Sequence, residues 1–285
     1  MKSVRLTEVG PRDGLQNEDG EISTSAKIAF VNALAEAGHQ QIEVSSFVRK
    51  DRVPAMADAE AVFAGIRRKD GVRYIGLVAN ERGLARARDA GCDTVAVFTA
   101  ASSSFTQANV GMSVPETLSR YRAICTSARR HDMDVRGYVS TIFKCPFEGE
   151  IRPQRVLEVA QELFDMGCYE VSLGDTTGIG TPSDVRRVMD ALVPELGTEH
   201  IALHLHDTWG MAIANVLAGL EFGIDHFDAS AGGLGGCPFA KGARGNLATE
   251  DVLYLLEGLG LHTSPSLEGV ARSAAALAQA MGKTL

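Results

Sequence analysis

Short β-branched runs alternate with helix-length amphipathic stretches along the whole chain, and this alternation is the feature that most limits its fold. Hydrophobic periodicity that keeps switching between about two and about 3.6 residues marks repeated βα units around a parallel sheet. Strands are expected at Val4–Val9, Gln41–Ser45, Arg73–Val78, Thr94–Thr99, Asp134–Ser140, Tyr169–Leu173, Ile201–His206 and His226–Ser230. Helices are expected near Thr24–Ala37, Ala55–Arg68, Arg82–Ala90, Val114–His131, Pro153–Met166, Pro182–Leu196, Met211–Phe222 and Thr249–Gly258. Gly38, Gly91, Gly167 and Gly223 each stand between a helical pattern and the next strand, where a left-handed residue stops a helix. Eight such units in 285 residues predict an α/β fold, a single (β/α)8 TIM barrel over residues 1–285. An Ala-rich segment at about Leu267–Met281 predicts one further C-terminal helix, packed on the barrel or on a partner subunit.

Composition narrows the function. The chain is 45% hydrophobic and 22% charged, an ordinary globular balance, and its net charge of -8 argues against a nucleic-acid or anionic-membrane surface. That global charge leaves room for a local basic patch. Five cysteines form no CxxC pair and are odd in number, which disfavours a disulfide framework or a structural zinc knuckle and suits a reducing compartment. The sequence opens MKSVRLTEVG, with no apolar export segment and no Arg/Ser-rich presequence expected, and no apolar run approaches membrane-spanning length. A cytoplasmic protein is expected.

Barrels of this kind place their chemistry at the C-terminal strand ends. His204 and His206 lie two apart on the seventh expected strand, so both imidazoles project to one side and are able to meet one ion. The competing assignment is a hydrogen-bonded pair in the barrel interior. Arg12 and Asp13 follow the first strand in VGPRDGLQNE and are either a functional or a structural pair. Asn246, after the eighth strand, offers an amide oxygen or the cap of the helix that follows. Barrel closure brings strands one, seven and eight together, so these signals converge. One carboxylate, two imidazoles and an amide oxygen make a mixed N/O site suited to Mg²⁺ or Mn²⁺ and able to hold Zn²⁺ or Co²⁺. Glu43 and Asp175, on the second and sixth strands, are candidates for orienting Arg12 or the ligands, or else for capping nearby loops. Residues 231–246 form a Gly-rich lid that carries Cys237, a candidate catalytic acid; Cys92, Cys125 and Cys168 look structural, and Cys145 is undecided.

The motifs VGPRDGLQNE, SLGDTTGIGTP, HLHDTWGMAIAN and GGLGGCPFAKGARGNLATED, in that order, resemble the hydroxymethylglutaryl-CoA lyase family of the metal-dependent lyase and acyltransferase barrels. The resemblance runs from about Val4 to Thr263. It implies Asp13, His204, His206 and Asn246 as ligands of one Mg²⁺ or Mn²⁺, with no organic cofactor beyond the CoA of the substrate. It also implies Arg12 at the developing enolate, Glu43 and Asp175 in support, and Cys237 as the loop cysteine. Gln16, Ser46 and Ser172 match substrate-pocket positions. The family cleaves 3-hydroxy-3-methylglutaryl-CoA to acetoacetate and acetyl-CoA in leucine breakdown, a retro-Claisen reaction. It needs a base for the tertiary alcohol, for which His204 and Asp13 are candidates, and a proton donor for the carbanion, for which Cys237 is.

Some positions depart from the family pattern: Trp209 stands where Tyr is common, and Phe239, Lys241 and Arg244 where Tyr, Gln and Ser are familiar. The acyl preference is therefore less constrained than the reaction type. A lyase for a longer 3-hydroxy-3-alkylglutaryl-CoA, such as the isohexenyl analogue, is the nearest alternative. Condensing relatives usually carry a large extra C-terminal region and lack the GGCP lid. A non-catalytic binding barrel would be expected to have lost a ligand or the cysteine. The partners implied are a small-molecule acyl-CoA and a second copy of the chain in a homodimer.

Overall fold

Eight parallel strands close into a barrel in the computed structural model, which describes residues 3–18, 20–236 and 245–283. They are β1 (Arg5–Glu8), β2 (Gln41–Ser46), β3 (Arg73–Leu77), β4 (Thr94–Ala100), β5 (Asp134–Ser140), β6 (Glu170–Asp175), β7 (Ile201–Leu205) and β8 (His226–Ala229). Each pairs with its neighbours in sequence, and β8 closes the barrel onto β1 with Glu8 opposite Ala229. The helices are α1 (Thr24–Glu36), α2 (Ala59–Gly65), α3 (Glu81–Asp89), α4 (Ser103–Val110), α5 (Val114–Arg129), α6 (Pro153–Asp165), α7 (Pro182–Leu196), α8 (Ala212–Glu221), α9 (Thr249–Gly258) and α10 (Leu267–Met281). The four expected helix stops, Gly38, Gly91, Gly167 and Gly223, all have positive φ, as a left-handed stop requires.

Three local features differ from the sequence expectation. The helix expected over Ala55–Arg68 is a 3₁₀ turn at Pro54–Met56 followed by α2, which begins only at Ala59. Side-chain bonds account for the break: Lys27 Nζ joins Ala55 O at 2.6 Å and Asp58 Oδ1 at 2.7 Å, and Asn32 Oδ1 accepts from Arg67 N at 2.8 Å. α4 was not expected, because its polar sequence has no helical apolar stripe; its start is fixed by the Ser102 hydroxyl, which accepts from Phe105 N at 3.0 Å. A two-stranded hairpin, Lys144–Cys145 with Gly149–Glu150, interrupts the connection from β5 to α6.

Most apolar burial lies between sheet and helices, where Val31, Leu34, Ile42, Leu163, Leu203 and Val216 are sealed from solvent. Inside the barrel the apolar cluster is small, Ile75, Leu77, Ala96 and Tyr138. Much of the rest of the interior is charged: Arg136, Glu170, His226 and Asp228 are buried there. α10 packs on α1 with Val270, Ala274 and Leu277 buried, so this helix spends its apolar face on the chain's own barrel.

Candidate metal centre and active site

β1 ends in a wide turn, Gly10–Gly14, in which Val9 O accepts from Asp13 N at 2.8 Å and from Gly14 N at 3.2 Å. Gly10 is required there, since a Cβ would come within 2.6 Å of Glu8 Oε1. The turn delivers Arg12 and Asp13 to the barrel mouth. β7 delivers His204, and His206 follows directly after it; their Nε2 atoms are 3.1 Å apart and lie 3.9 and 4.0 Å from Asp13 Oδ2. The three donor atoms of Asp13, His204 and His206 all fall within 4.8 Å of one another.

Asn246 reaches the same place because its backbone is stitched to the end of β7. Asp207 N donates to Gly245 O at 3.0 Å and Leu247 N to Leu205 O at 3.0 Å, while Ser230 bridges Ala248 from β8. Its side chain donates to Asp13 Oδ2 at 3.0 Å and to Leu234 O at 3.1 Å. This answers the capping alternative: α9 starts at Thr249, with Ala248 in the cap position. Asn246 Oδ1 is buried with no hydrogen-bond partner among the described residues. A buried acceptor left unpaired, beside two imidazole nitrogens 3.1 Å apart and an anionic oxygen, is a donor set that one divalent cation satisfies.

Electrostatics agree with that use. Burial opposes ionisation of Asp13, but Arg12 and the two imidazoles outweigh it and hold the carboxyl below the usual carboxylate range. Burial, reinforced by His204, pushes His206 down to about 4, so its imidazole is neutral at pH 7 and free to ligate. His204 is raised overall, its burial outweighed by the Asp228 and Asp13 carboxylates. Arg12 is 7% exposed and lies between Asp13 Oδ1 at 2.5 Å and Glu43 Oε2 at 2.6 Å, which fixes its guanidinium over the mouth.

The other expected residues divide. Glu43 grips Arg12, whereas Asp175 accepts from Gly180 N at 2.9 Å and holds the β6–α7 loop; burial raises its pKa to about 6. Ser46 is buried, its hydroxyl without a hydrogen-bond partner among the described residues, and Ser172 donates to Asp228 Oδ2 at 2.7 Å. Gln16 lines the mouth cavity beside Arg12 and Asp13. Cys145 is buried and pairs with Ser102 Oγ at 3.0 Å. Cys237 and the lid residues next to it, 237–244 in all, lie outside the described residues.

Sequence reasoning missed Asp228. It stands opposite His204 in the β7–β8 register and meets His204 Nδ1 at 3.3 Å, while Arg136 binds both of its oxygens at 2.7 and 3.1 Å. The available signal was a run of charged residues, Arg136, Glu170, His226 and Asp228, at strand positions that face a barrel interior.

A cavity of about 880 Å³ opens from Arg12, Asp13, His204 and His206 toward β3, β4 and α5. One wall is apolar, with Leu77, Phe98, Phe105 and Tyr121; the rim is basic, with Arg49, Arg52 and Arg120. A long ligand with an anionic end and a small reacting head fits that polarity.

Comparison with known proteins gives one answer. The HMGL-like family model matches residues 3–276. A 3-hydroxy-3-isohexenylglutaryl-CoA/hydroxy-methylglutaryl-CoA lyase of Pseudomonas aeruginosa is 48% identical over 283 residues, covering 99% of this chain and 94% of that protein. The cytoplasmic 3-hydroxy-3-methylglutaryl-CoA lyase of Rattus norvegicus is 47% identical over 281 residues, covering 99% of this chain and 82% of that protein. A crystal structure of hydroxymethylglutaryl-CoA lyase from Pseudomonas aeruginosa superposes with a TM-score of 0.97 at 48% identity, over 99% of this chain and 94% of that one. Agreement in nearly half of all positions, on one backbone and over almost the full length of both chains, places this chain in the HMGL-like family, among its hydroxymethylglutaryl-CoA lyases.

Proposed function

We propose that this carbon–carbon lyase cleaves 3-hydroxy-3-methylglutaryl-CoA to acetoacetate and acetyl-CoA with Mg²⁺ or Mn²⁺ at Asp13, His204, His206 and Asn246. The convergence of the Asp13, His204 and His206 donor atoms beside Arg12, at the mouth of a barrel shared with such lyases, carries this reading. When bound, the cation supplies Lewis acidity that makes the tertiary alcohol easier to deprotonate. The alcohol proton passes to a base at the mouth, for which His204 and Asp13 are the candidates; a carboxylate keeps a second oxygen for a proton when its first faces a cation, whereas an imidazole with Nδ1 protonated and Nε2 toward the cation keeps no lone pair, so Asp13 is the candidate compatible with all four ligands.

As the C2–C3 bond breaks, C3 becomes the ketone of acetoacetate and the electron pair moves to C2 and the thioester oxygen. Arg12, permanently cationic and gripped by Glu43, stabilises that oxygen. Cys237 is the proposed donor of the proton that C2 takes up to give acetyl-CoA. Gln16, Ser46 and Ser172 are proposed contacts for the acyl head, and the basic rim of Arg49, Arg52 and Arg120 suits the CoA phosphates.

A longer 3-alkyl substrate is a second reading, favoured by the apolar wall of Leu77, Phe98, Phe105 and Tyr121 and by the double name of the Pseudomonas relative. Incubation with both acyl-CoAs and mass-spectrometric detection of products decides between them. Equal amounts of acetoacetate and acetyl-CoA from the methyl substrate support the first reading; cleavage of the isohexenyl substrate alone supports the second, and cleavage of neither removes both.

Residues 1–285 are proposed as one catalytic domain, in a reducing cytoplasmic setting that suits the four described cysteines, all free and buried. No described helix is long and apolar enough to cross a membrane. A homodimer is also proposed; exposed Leu217, Tyr254 and Leu259 on and after the neighbouring helices α8 and α9 support it. Sedimentation at micromolar concentration is expected to give twice the 30.3 kDa chain mass, and a monomer would contradict the assignment.

A further inference from the structure

We infer that Asp228 is a positioning residue that sets the tautomer of His204 and so presents its Nε2 lone pair to the metal centre; the inference rests on the metal reading above. His204 has two ring nitrogens with different neighbours. Nδ1 faces Asp228 Oδ2 at 3.3 Å, and Nε2 faces His206 Nε2 at 3.1 Å and Asp13 Oδ2 at 3.9 Å. A carboxylate only accepts, so the ring proton belongs on Nδ1 and the lone pair on Nε2, pointing at the other two donor atoms. Histidines that ligate metals are commonly held this way by a carboxylate behind them.

Asp228 is itself immobile. It is 1% exposed, takes Arg136 Nη2 on Oδ1 at 2.7 Å, and takes Arg136 Nη1 at 3.1 Å and Ser172 Oγ at 2.7 Å on Oδ2. Arg136 is fixed in turn by Glu170 Oε1 at 2.7 Å and by the Tyr138 hydroxyl at 2.7 Å. Glu170 is held from its other side by His226, whose Nε2 meets Thr7 Oγ1 at 2.8 Å. Strands β1, β5, β6, β7 and β8 thus hold one carboxylate behind one imidazole. The metal-facing end of His204 is oriented from within the barrel, not from the loops at its mouth.

An amide at position 228 reverses the pattern. Its single oxygen turns toward Arg136, its NH₂ group donates to His204 Nδ1, and the ring proton moves to Nε2, where it blocks the cation. The test is Mn²⁺ binding to the metal-free protein at fixed pH, followed by electron paramagnetic resonance, for wild type, Asp228→Asn and Glu170→Gln. Glu170→Gln disturbs Arg136 comparably but does not touch His204, so it is the control for general loosening of the interior. Asp228→Asn is expected to weaken Mn²⁺ binding about 10–100-fold, with Glu170→Gln within about threefold of wild type at similar thermal destabilisation.

Equal weakening in both variants, or wild-type affinity in Asp228→Asn, overturns the inference. If Asp228→Asn does not fold, the ¹⁵N spectrum of histidine-labelled, metal-free wild type decides. A protonated Nδ1 and bare Nε2 at His204 are expected, and the opposite tautomer overturns the inference. Wild type that binds no Mn²⁺ at all would instead remove the metal reading beneath it.

Discussion

Arg12 gains its importance from its grip. Asp13 and Glu43 hold the guanidinium at 2.5 and 2.6 Å, a forked geometry that a lysine ammonium does not reproduce. Arg12→Lys is expected to lower kcat/KM roughly 10²–10³-fold, the usual effect of losing one oxyanion partner, while Mn²⁺ affinity stays within about threefold. Turnover near wild type would remove Arg12 from the chemistry. Glu8 has a different use: it accepts from Gly10 N at 2.8 Å, Ala231 N at 2.9 Å and Thr249 Oγ1 at 2.8 Å, tying the Arg12–Asp13 turn to the base of the lid and to α9. Burial, only partly offset by the Ala231 hydrogen bond, pushes its pKa from 4.5 to about 8. The unfolded chain releases this proton near 4.5 and the native chain keeps it to about 8, so stability falls as pH rises through that window, by up to about 1.4 kcal/mol per unit. Glu8→Gln should flatten the urea-unfolding free energy between about pH 5 and 8; an unchanged slope would show that Glu8 is not the group responsible. Individual ligand positions were legible in the sequence because His204 and His206 alternate on one strand face and Arg12–Asp13 follow another. Asp228 was not, since its contact with His204 depends on the register between β7 and β8.

At the scale of elements, glycine stops and helix caps marked the βα frame, and side-chain ties blurred it. Gly167 ends the α6 connection with φ of +89°, and a Cβ there would come within 2.3 Å of Arg129 Nη1, the donor that caps Met166 O at 2.8 Å. Gly167→Ala is expected to cost roughly 1–2 kcal/mol, read as a lower urea midpoint at unchanged slope. A midpoint equal to wild type would mean that the backbone relaxes out of the left-handed region. The segment over residues 55–68 deceived periodicity because the ties of Lys27 and Asn32 reach it from α1, far away in sequence. α4 escaped notice for the opposite reason: a hydroxyl cap and a following Gly, not an apolar stripe, define its ends. The Asn246 segment shows how an element places a site residue without belonging to a helix or strand, since its backbone is sewn to β7 and β8 on either side of the side chain.

Across the whole molecule, barrel closure creates the site. Asp13 follows β1, His204 lies on β7 with His206 just after it, and Asn246 follows β8; they are far apart in sequence and meet only because β8 pairs with β1. The eight-unit alternation made that closure legible in the sequence, whereas the pairing of the charged groups behind the histidines was not, because strand patterning reports burial and not partners. The central claim is metal-dependent carbon–carbon cleavage at this mouth. The most direct measurement follows acetoacetate and acetyl-CoA release from 3-hydroxy-3-methylglutaryl-CoA with Mg²⁺ or Mn²⁺, after chelation, and after metal is restored. Equimolar release that disappears on chelation and returns with metal is the predicted result; release at an undiminished rate in the chelated protein would contradict the account.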